Sequence, residues 1–212
     1  MHYRTSVVMI ALLVAAVPAA FAASSVEKIR NEKVLVTENT LSPGGSETPP
    51  GTLPSMIVYL VDGTAQTSLF EDKPYKETVK AGETVFQPAE AGRIKNAGLS
   101  PLHFVRIKFL TTGSPHTWGM SGLSPHYVML LENQYARAYD IKIPAQTFEP
   151  QHTHHDRVVV CLSGAQLEHI LPTGEIQPST LKTGEVVWRL GATHTGHNLG
   201  QTNLWVIAVE PK

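Results

Sequence analysis

The chain has 212 residues, of which 42% are hydrophobic, 17% charged and 7% aromatic, the balance of an ordinary globular protein and not of a disordered, collagenous or polytopic membrane chain. Seventeen Lys and Arg against eighteen Asp and Glu give a formal net charge of −1, so no basic excess supports nucleic acid as a partner. Sixteen Gly and fifteen Pro, spread along the chain, favour short strands joined by turns over a helical bundle.

At the amino terminus, His2, Tyr3 and Arg4 precede an apolar run over 7–17, and Ala20-Phe21-Ala22 has the small-x-small form cut by signal peptidase. The run breaks at Pro18, well short of the roughly twenty residues that span a bilayer. The expectation is a signal peptide over 1–22, cleaved after Ala22, and a periplasmic or extracellular product with no membrane span. The stretch 27–33 reads as a charged, soluble segment. Cys161 is the one cysteine, so no intramolecular disulfide can form; within Val158-Val159-Val160-Cys161-Leu162 it reads as a small buried hydrophobe.

Runs of β-branched residues over 34–36, 56–61, 84–87, 104–109, 127–131, 138–143, 158–162, 186–188 and 204–209 predict an all-β sandwich or barrel. A self-match sharpens this. Residues 56–63 fit 157–164 at an offset of 101, with Pro43, Pro49 and Thr52 falling on Pro144, Pro150 and Thr153. An offset of 102 then places Gly82-Glu83 on Gly184-Glu185 and Asn96 and Gly98 on Asn198 and Gly200, as though one residue were inserted between the two registers. Two copies of one β unit are expected, at 23–112 and 127–212, joined by a Gly-, Ser- and Pro-rich linker over 113–126. Because 158–162 is apolar on both strand faces, one barrel interior covers only half of it, which predicts barrel-to-barrel packing or a homodimer.

The chemistry lies in the second copy. His152 and His154 are two apart, so on an extended chain both imidazoles face one way, and His194, about forty residues on, can add a third nitrogen from a neighbouring strand. Three imidazoles suit a borderline first-row dication, which leaves Fe, Mn or Zn open. Bonds of about 2.0–2.1 Å to one ion would bring the three Nε2 atoms to about 3–4 Å of one another.

These residues resemble the cupin superfamily, and the repeat resembles a bicupin, that is, two tandem antiparallel jelly-roll barrels. The first cupin motif, Gly-x5-His-x-His-x3-4-Glu-x6-Gly, is matched by His152, His154 and Gly164. The second, Gly-x5-Pro-x-Gly-x2-His-x3-Asn, is matched by Gly184, Gly191, His194 and Asn198. The pattern departs where it expects a glutamate ligand: Arg157 stands there, and Asp156 is the nearby carboxylate. An arginine cannot ligate. The resemblance therefore implies either a three-histidine centre with open positions, as some cupin dioxygenases have, or one completed by Asp156 through a local shift. In the first copy Gly51, Leu53 and Gly92 fall on the three histidines, so that barrel is expected to be structural. His103, His116, His126, His155 and His197 lack a partner at ligand spacing, although His197 lies near enough to His194 to compete for the third corner.

Three neutral imidazoles leave a dication's charge uncompensated and favour an anionic oxygen ligand. With Fe(II) the expectation is oxygenase-like turnover of a small anionic or enolic compound; with Mn or Zn it is isomerase, lyase or hydrolytic chemistry. Arg157 shares a strand face with Val159 and Cys161; turned inward it would clamp a substrate carboxylate, and turned outward it would be a surface charge. The alternative to an enzyme is a non-catalytic cupin that binds a small acid, a sugar or the metal.

Overall fold

The computed structural model describes residues 23–47, 51–67, 73–89, 92–114 and 124–212, and within them the chain is strand and turn, with no helix. The first half contains β1 (Ala23–Arg30), β2 (Val34–Leu41), β3 (Ser55–Tyr59), β4 (Gly63–Thr67), β5 (Tyr75–Val79), β6 (Thr84–Gln87), β7 (Lys95–Asn96) and β8 (Leu102–Phe109). The second contains β9 (Tyr127–Glu132), β10 (Ala136–Ile143), β11 (His152–His154), β12 (Arg157–Ser163), β13 (Ala165–Ile170), β14 (Ile176–Leu181), β15 (Val186–Arg189), β16 (Ala192–Asn198) and β17 (Leu204–Pro211). Every run of β-branched residues picked out above is a strand. Of those missed, β1 lacks a buried apolar face: it is almost wholly exposed, and its ladder with β2, from Ala23↔Leu41 to Arg30↔Leu35, holds it in place. As an edge strand it carries its charges outward, with Glu27 paired to Arg30 and Lys28 to Glu38.

Each half folds as an antiparallel jelly roll from a five-stranded sheet and a smaller one. The large sheets run β1-β2-β8-β3-β6 and β9-β10-β17-β12-β15; the small ones run β5-β4-β7 and β11-β16-β13-β14. Strand alternation then divides the apolar residues into three clusters. Tyr59, Phe104 and Ile94 are among those that fill the first interior, and Tyr139, Val159, Cys161 and Val206 among those that fill the second. The large sheets meet across the third cluster, where Val36, Met56 and Ile107 pack with Ala138, Val158, Val160 and Val209, all fully buried. The outer face of β12 is thus covered within the chain, and of the two expectations for it the structure meets intramolecular packing. Cys161 is buried and its thiol is pushed up to about 11 by that burial, so it is a core residue and not a nucleophile.

The ladders correct the reading of the repeat. Met56 pairs with Ile107 as Val158 pairs with Val209, Gly63 with Val79 as Ala165 with Leu181, and Ala65 with Asn96 as Leu167 with Asn198. Upstream, Val36↔Ile107 recurs as Ala138↔Val209, and the Glu47 N–H bond to Ile94 O recurs from Glu149 to Gly196. A single offset of 102 holds throughout, with no inserted residue. The 101 match rested on aligning Gly63 with Gly164 and Pro43, Pro49 and Thr52 with Pro144, Pro150 and Thr153, and a one-residue slip reverses every side chain of a strand. The partners of His154 and His194 in the first barrel are therefore Thr52 and Gly92, not Leu53 and Gly92. The partner of His152 is Pro50, which lies outside the described residues, and Gly51 is the partner of Thr153.

In this frame Arg106 falls on Ala208, Glu47 on Glu149, Ser55 on Arg157 and Gln87 on Arg189. Arg106, 2% exposed, crosses the first interior, where its Nη2 and Nε donate to Glu47 and its Nη1 to Ser55 and Gln87, both at 2.8 Å. A satisfied ion pair fills the first barrel at the place where the second has a small side chain. Arg106→Met should destabilise the chain by about 3–5 kcal/mol, because Glu47 is left buried without its cation. Urea unfolding measures this, and a change below about 1 kcal/mol would contradict the ion-pair account.

Candidate metal centre

β11 and β16 assemble the histidines. Their ladder sets His152 opposite His194 and His154 opposite Ala192, and alternation turns His152 and His154 inward while Thr153 faces solvent. His152, His154 and His194 are 3%, 5% and 5% exposed, so all three imidazoles lie in the barrel interior. The Nε2 atoms of His152 and His154 are 3.0 Å apart, and His194 joins them so that ligand atoms of all three lie within 4.8 Å of one another. That is looser at its widest than the 3–4 Å expected. Three buried histidines in this arrangement can bind a metal ion. Among the described residues, no carboxylate or thiol joins the cluster.

The ring orientations are set from behind. His152 Nδ1 lies 2.8 Å from Pro150 O, which turns Nε2 toward the cluster. His154 Nδ1 faces Glu210 Oε1 at 3.9 Å, too far for a hydrogen bond but close enough for the charges to matter. Glu210 is in turn fixed by Arg137, with Nη2 donating at 2.8 Å. The His194 ring stacks on His169 with centroids 4.4 Å apart. Burial, with Arg157 and His152 close by, pulls His154 down to about 4. Burial with Arg157 and Arg189 does the same to His169, and burial with His169 and His154 takes His194 to about 2. These imidazoles are neutral at pH 7, the form that ligates.

The cluster opens on a cavity of about 50 Å³ whose wall includes Tyr127, Glu149, Arg157, His169 and Arg189. The register accounts for three of these: Glu149, Arg157 and Arg189 stand at the places of Glu47, Ser55 and Gln87, the partners of Arg106 in the first barrel. Arg157, 8% exposed, points inward, and its Nη1 donates to His155 O and Leu190 O at 3.3 Å each. Asp156 is not at the site. Its Oδ1 accepts from Gly191 N at 2.7 Å and its Oδ2 pairs with Lys33 at 3.5 Å, because position 156 lies on the face of the chain opposite to Arg157. His197 faces away from His194, stacked on Phe148 with centroids 3.6 Å apart, and so leaves the third corner to His194. His116 lies outside the described residues.

Three wall residues went unread in the sequence. Glu149 accepts from Ser124 Oγ at 2.6 Å, and burial raises its carboxyl. Residue 196 beside it is glycine, where a Cβ would lie 2.7 Å from Glu149 Oε2 and the carboxyl would have to shift. The 102 offset would have flagged it, since Glu47 is its copy. His169 has no such signal, its copy being Thr67, and neither does Tyr127, whose copy is Ser25. Yet Tyr127 Oη stands 3.3 Å from His152 Nε2 and 3.0 Å from His154 Nε2.

Histidines held below their unfolded value of about 6.5 keep their stabilising effect above that pH and lose it as the pH falls toward 4, where only the unfolded chain takes the protons. Metal-free protein should therefore lose stability from pH 7.5 to pH 5, and His169→Leu should show a shallower loss. Urea midpoints across that range test it, and equal slopes would contradict it.

No family model and no curated protein sequence matches the chain. Solved structures do. AerE from Microcystis aeruginosa is 12% identical with a TM-score of 0.63, over 92% of this chain and 100% of that one. A cupin 2 conserved barrel domain protein from Leptotrichia buccalis is 12% identical with a TM-score of 0.61, over 94% and 93%. The formate complex of Lactobacillus farciminis oxalate decarboxylase is 12% identical with a TM-score of 0.63, over 90% and 81%. At these identities the likeness is one of fold, and the fold of this chain is that of the cupin barrels.

Proposed function

We propose that this chain is an exported bicupin enzyme that binds one divalent transition metal in its second barrel and carries out dioxygenase-like chemistry on a small anionic or enolic compound. The observation that carries the reading is the buried set of His152, His154 and His194 opening on a cavity walled by two guanidiniums. The donor set fits the group: three imidazoles, with His154 and His194 held neutral by burial, suit a borderline first-row dication over Mg or Ca. Such an ion, when bound, supplies Lewis acidity and, in the case of iron, access to O₂ chemistry.

The remaining roles fall to the chain. Arg157 and Arg189 line the cavity with positive charge and would hold a carboxylate, Arg157 as a fork whose Nη1 is already steadied by two carbonyls. Glu149, with its carboxyl raised by burial, is placed to hold or pass a proton at the cavity wall. Ile141, Ile143, Val159, Leu167 and Val206 exclude water around them. A cavity of this volume favours a small acid over an extended one. Oxalate, named in the description of the similar decarboxylase, belongs on the test panel for that reason. The first barrel, its interior filled by Arg106 and Glu47, serves as scaffold.

Protein loaded separately with Fe(II), Mn(II) and Zn(II) should hold one ion per chain by elemental analysis, and His152→Ala, His154→Ala and His194→Ala should each lose it while His155→Ala and His197→Ala should not. Oxygen uptake and product analysis over a panel of small acids and enols then test the reaction. Arg157→Ala should raise KM about tenfold or more, as expected for a lost charged hydrogen bond. One ion per chain with acid binding and no turnover would replace the enzyme by a binding protein. Full metal content in all three histidine variants would end the metal reading.

A further inference from the structure

Among the described residues the cluster lacks an anionic donor, and the carboxylates around it are committed elsewhere: Asp156 to Gly191 and Lys33, Glu210 to Arg137 behind the His154 ring, and Glu149 to Ser124. One oxygen does reach the coordinating face. Tyr127 Oη, His152 Nε2 and His154 Nε2 form a triangle with sides of 3.0, 3.0 and 3.3 Å. Two bonds of about 2.1 Å at right angles span about 3.0 Å, so this triangle has the edge lengths of three donors on one face of a single ion. The ring is held for the purpose, edge-on to Tyr139 at 6.0 Å between centroids and against both imidazoles at 5.4 and 5.5 Å. It comes from β9, on the opposite sheet from the histidines, so it closes the site from across the barrel.

We propose that Tyr127 is the fourth protein ligand of the metal centre and binds through its phenolic oxygen. The inference rests on the reading of His152, His154 and His194 as that centre. Ligation replaces the Oη–H bond by an oxygen–metal bond and releases one proton to solvent, so a −1 donor enters a site whose other ligands are neutral. That supplies a negative charge which three neutral imidazoles and the neighbouring Arg157 do not.

The test loads the full chain with Fe(III), whose bonds to phenolate give an intense visible charge-transfer band with phenolate modes in its resonance Raman spectrum. The band should appear in the natural protein, persist in Tyr139→Phe and vanish in Tyr127→Phe. Tyr127→Phe keeps the ring, removes only the hydroxyl and should keep the unfolding midpoint of the metal-free protein within a few degrees, while its Zn(II) Kd rises about tenfold or more. Fe(III) held without the band, or Zn(II) held equally well by Tyr127→Phe, would overturn the ligand assignment and leave the histidine centre standing. Failure of the natural protein to hold either ion would overturn both.

Discussion

The apolar contact between the two five-stranded sheets is the constraint from which the rest follows. Val36, Met56 and Ile107 on one side and Ala138, Val158, Val160 and Val209 on the other commit one face of each sheet to the interface. Alternation then commits the other face to a barrel interior, residue by residue. Arg157, Val159 and Cys161 point inward because Val158 and Val160 cannot. The direction of the guanidinium in the candidate site is thus decided by the packing of its neighbours and not by any ligand.

Within that frame the two barrels solve the same interior problem differently. A buried carboxylate stands at the same place in both, Glu47 in one and Glu149 in the other. In the first barrel it is answered by Arg106 from β8, whose guanidinium also reaches Ser55 and Gln87 and fills the space. In the second the equivalent of Arg106 is Ala208, and the positive charges have moved to the wall, to Arg157 and Arg189. The place that Arg106 fills in one copy is left to a small side chain in the other. Duplication followed by such a rearrangement separates scaffold from site, and the interface makes the scaffold necessary, since without it Val158 and Val160 would face water.

Much of this was legible in the sequence, for identifiable reasons. The β-branched runs became strands, and the His-x-His spacing did put two imidazoles on one face with His194 opposite. The turn residues Gly82, Gly184, Asn96 and Asn198 exposed the repeat because the same turns need them in both copies. What stayed hidden was whatever has no periodic or apolar signal. β1 is a strand only by pairing with β2. Asp156 resembled a ligand by its place in the chain, but a one-residue step turns it to the outer face. Tyr127 and His169 lie outside the motif residues, and the first copy has Ser25 and Thr67 in their places. The slip from 102 to 101 came from chance identities, Gly63 with Gly164 and Pro43, Pro49 and Thr52 with Pro144, Pro150 and Thr153, whereas the ladders place Gly63 on Ala165.

The account's central claim is that one barrel is a metal centre and the other its filled copy. The most direct measurement is the anomalous scattering of crystals grown from metal-loaded protein, collected on either side of the metal's absorption edge. One peak per chain, in contact with His152, His154 and His194 and with none among Glu47, Arg106 and Gln87, is the predicted result. A peak elsewhere on the chain, or a fully loaded crystal with nothing between the three histidines, would contradict it.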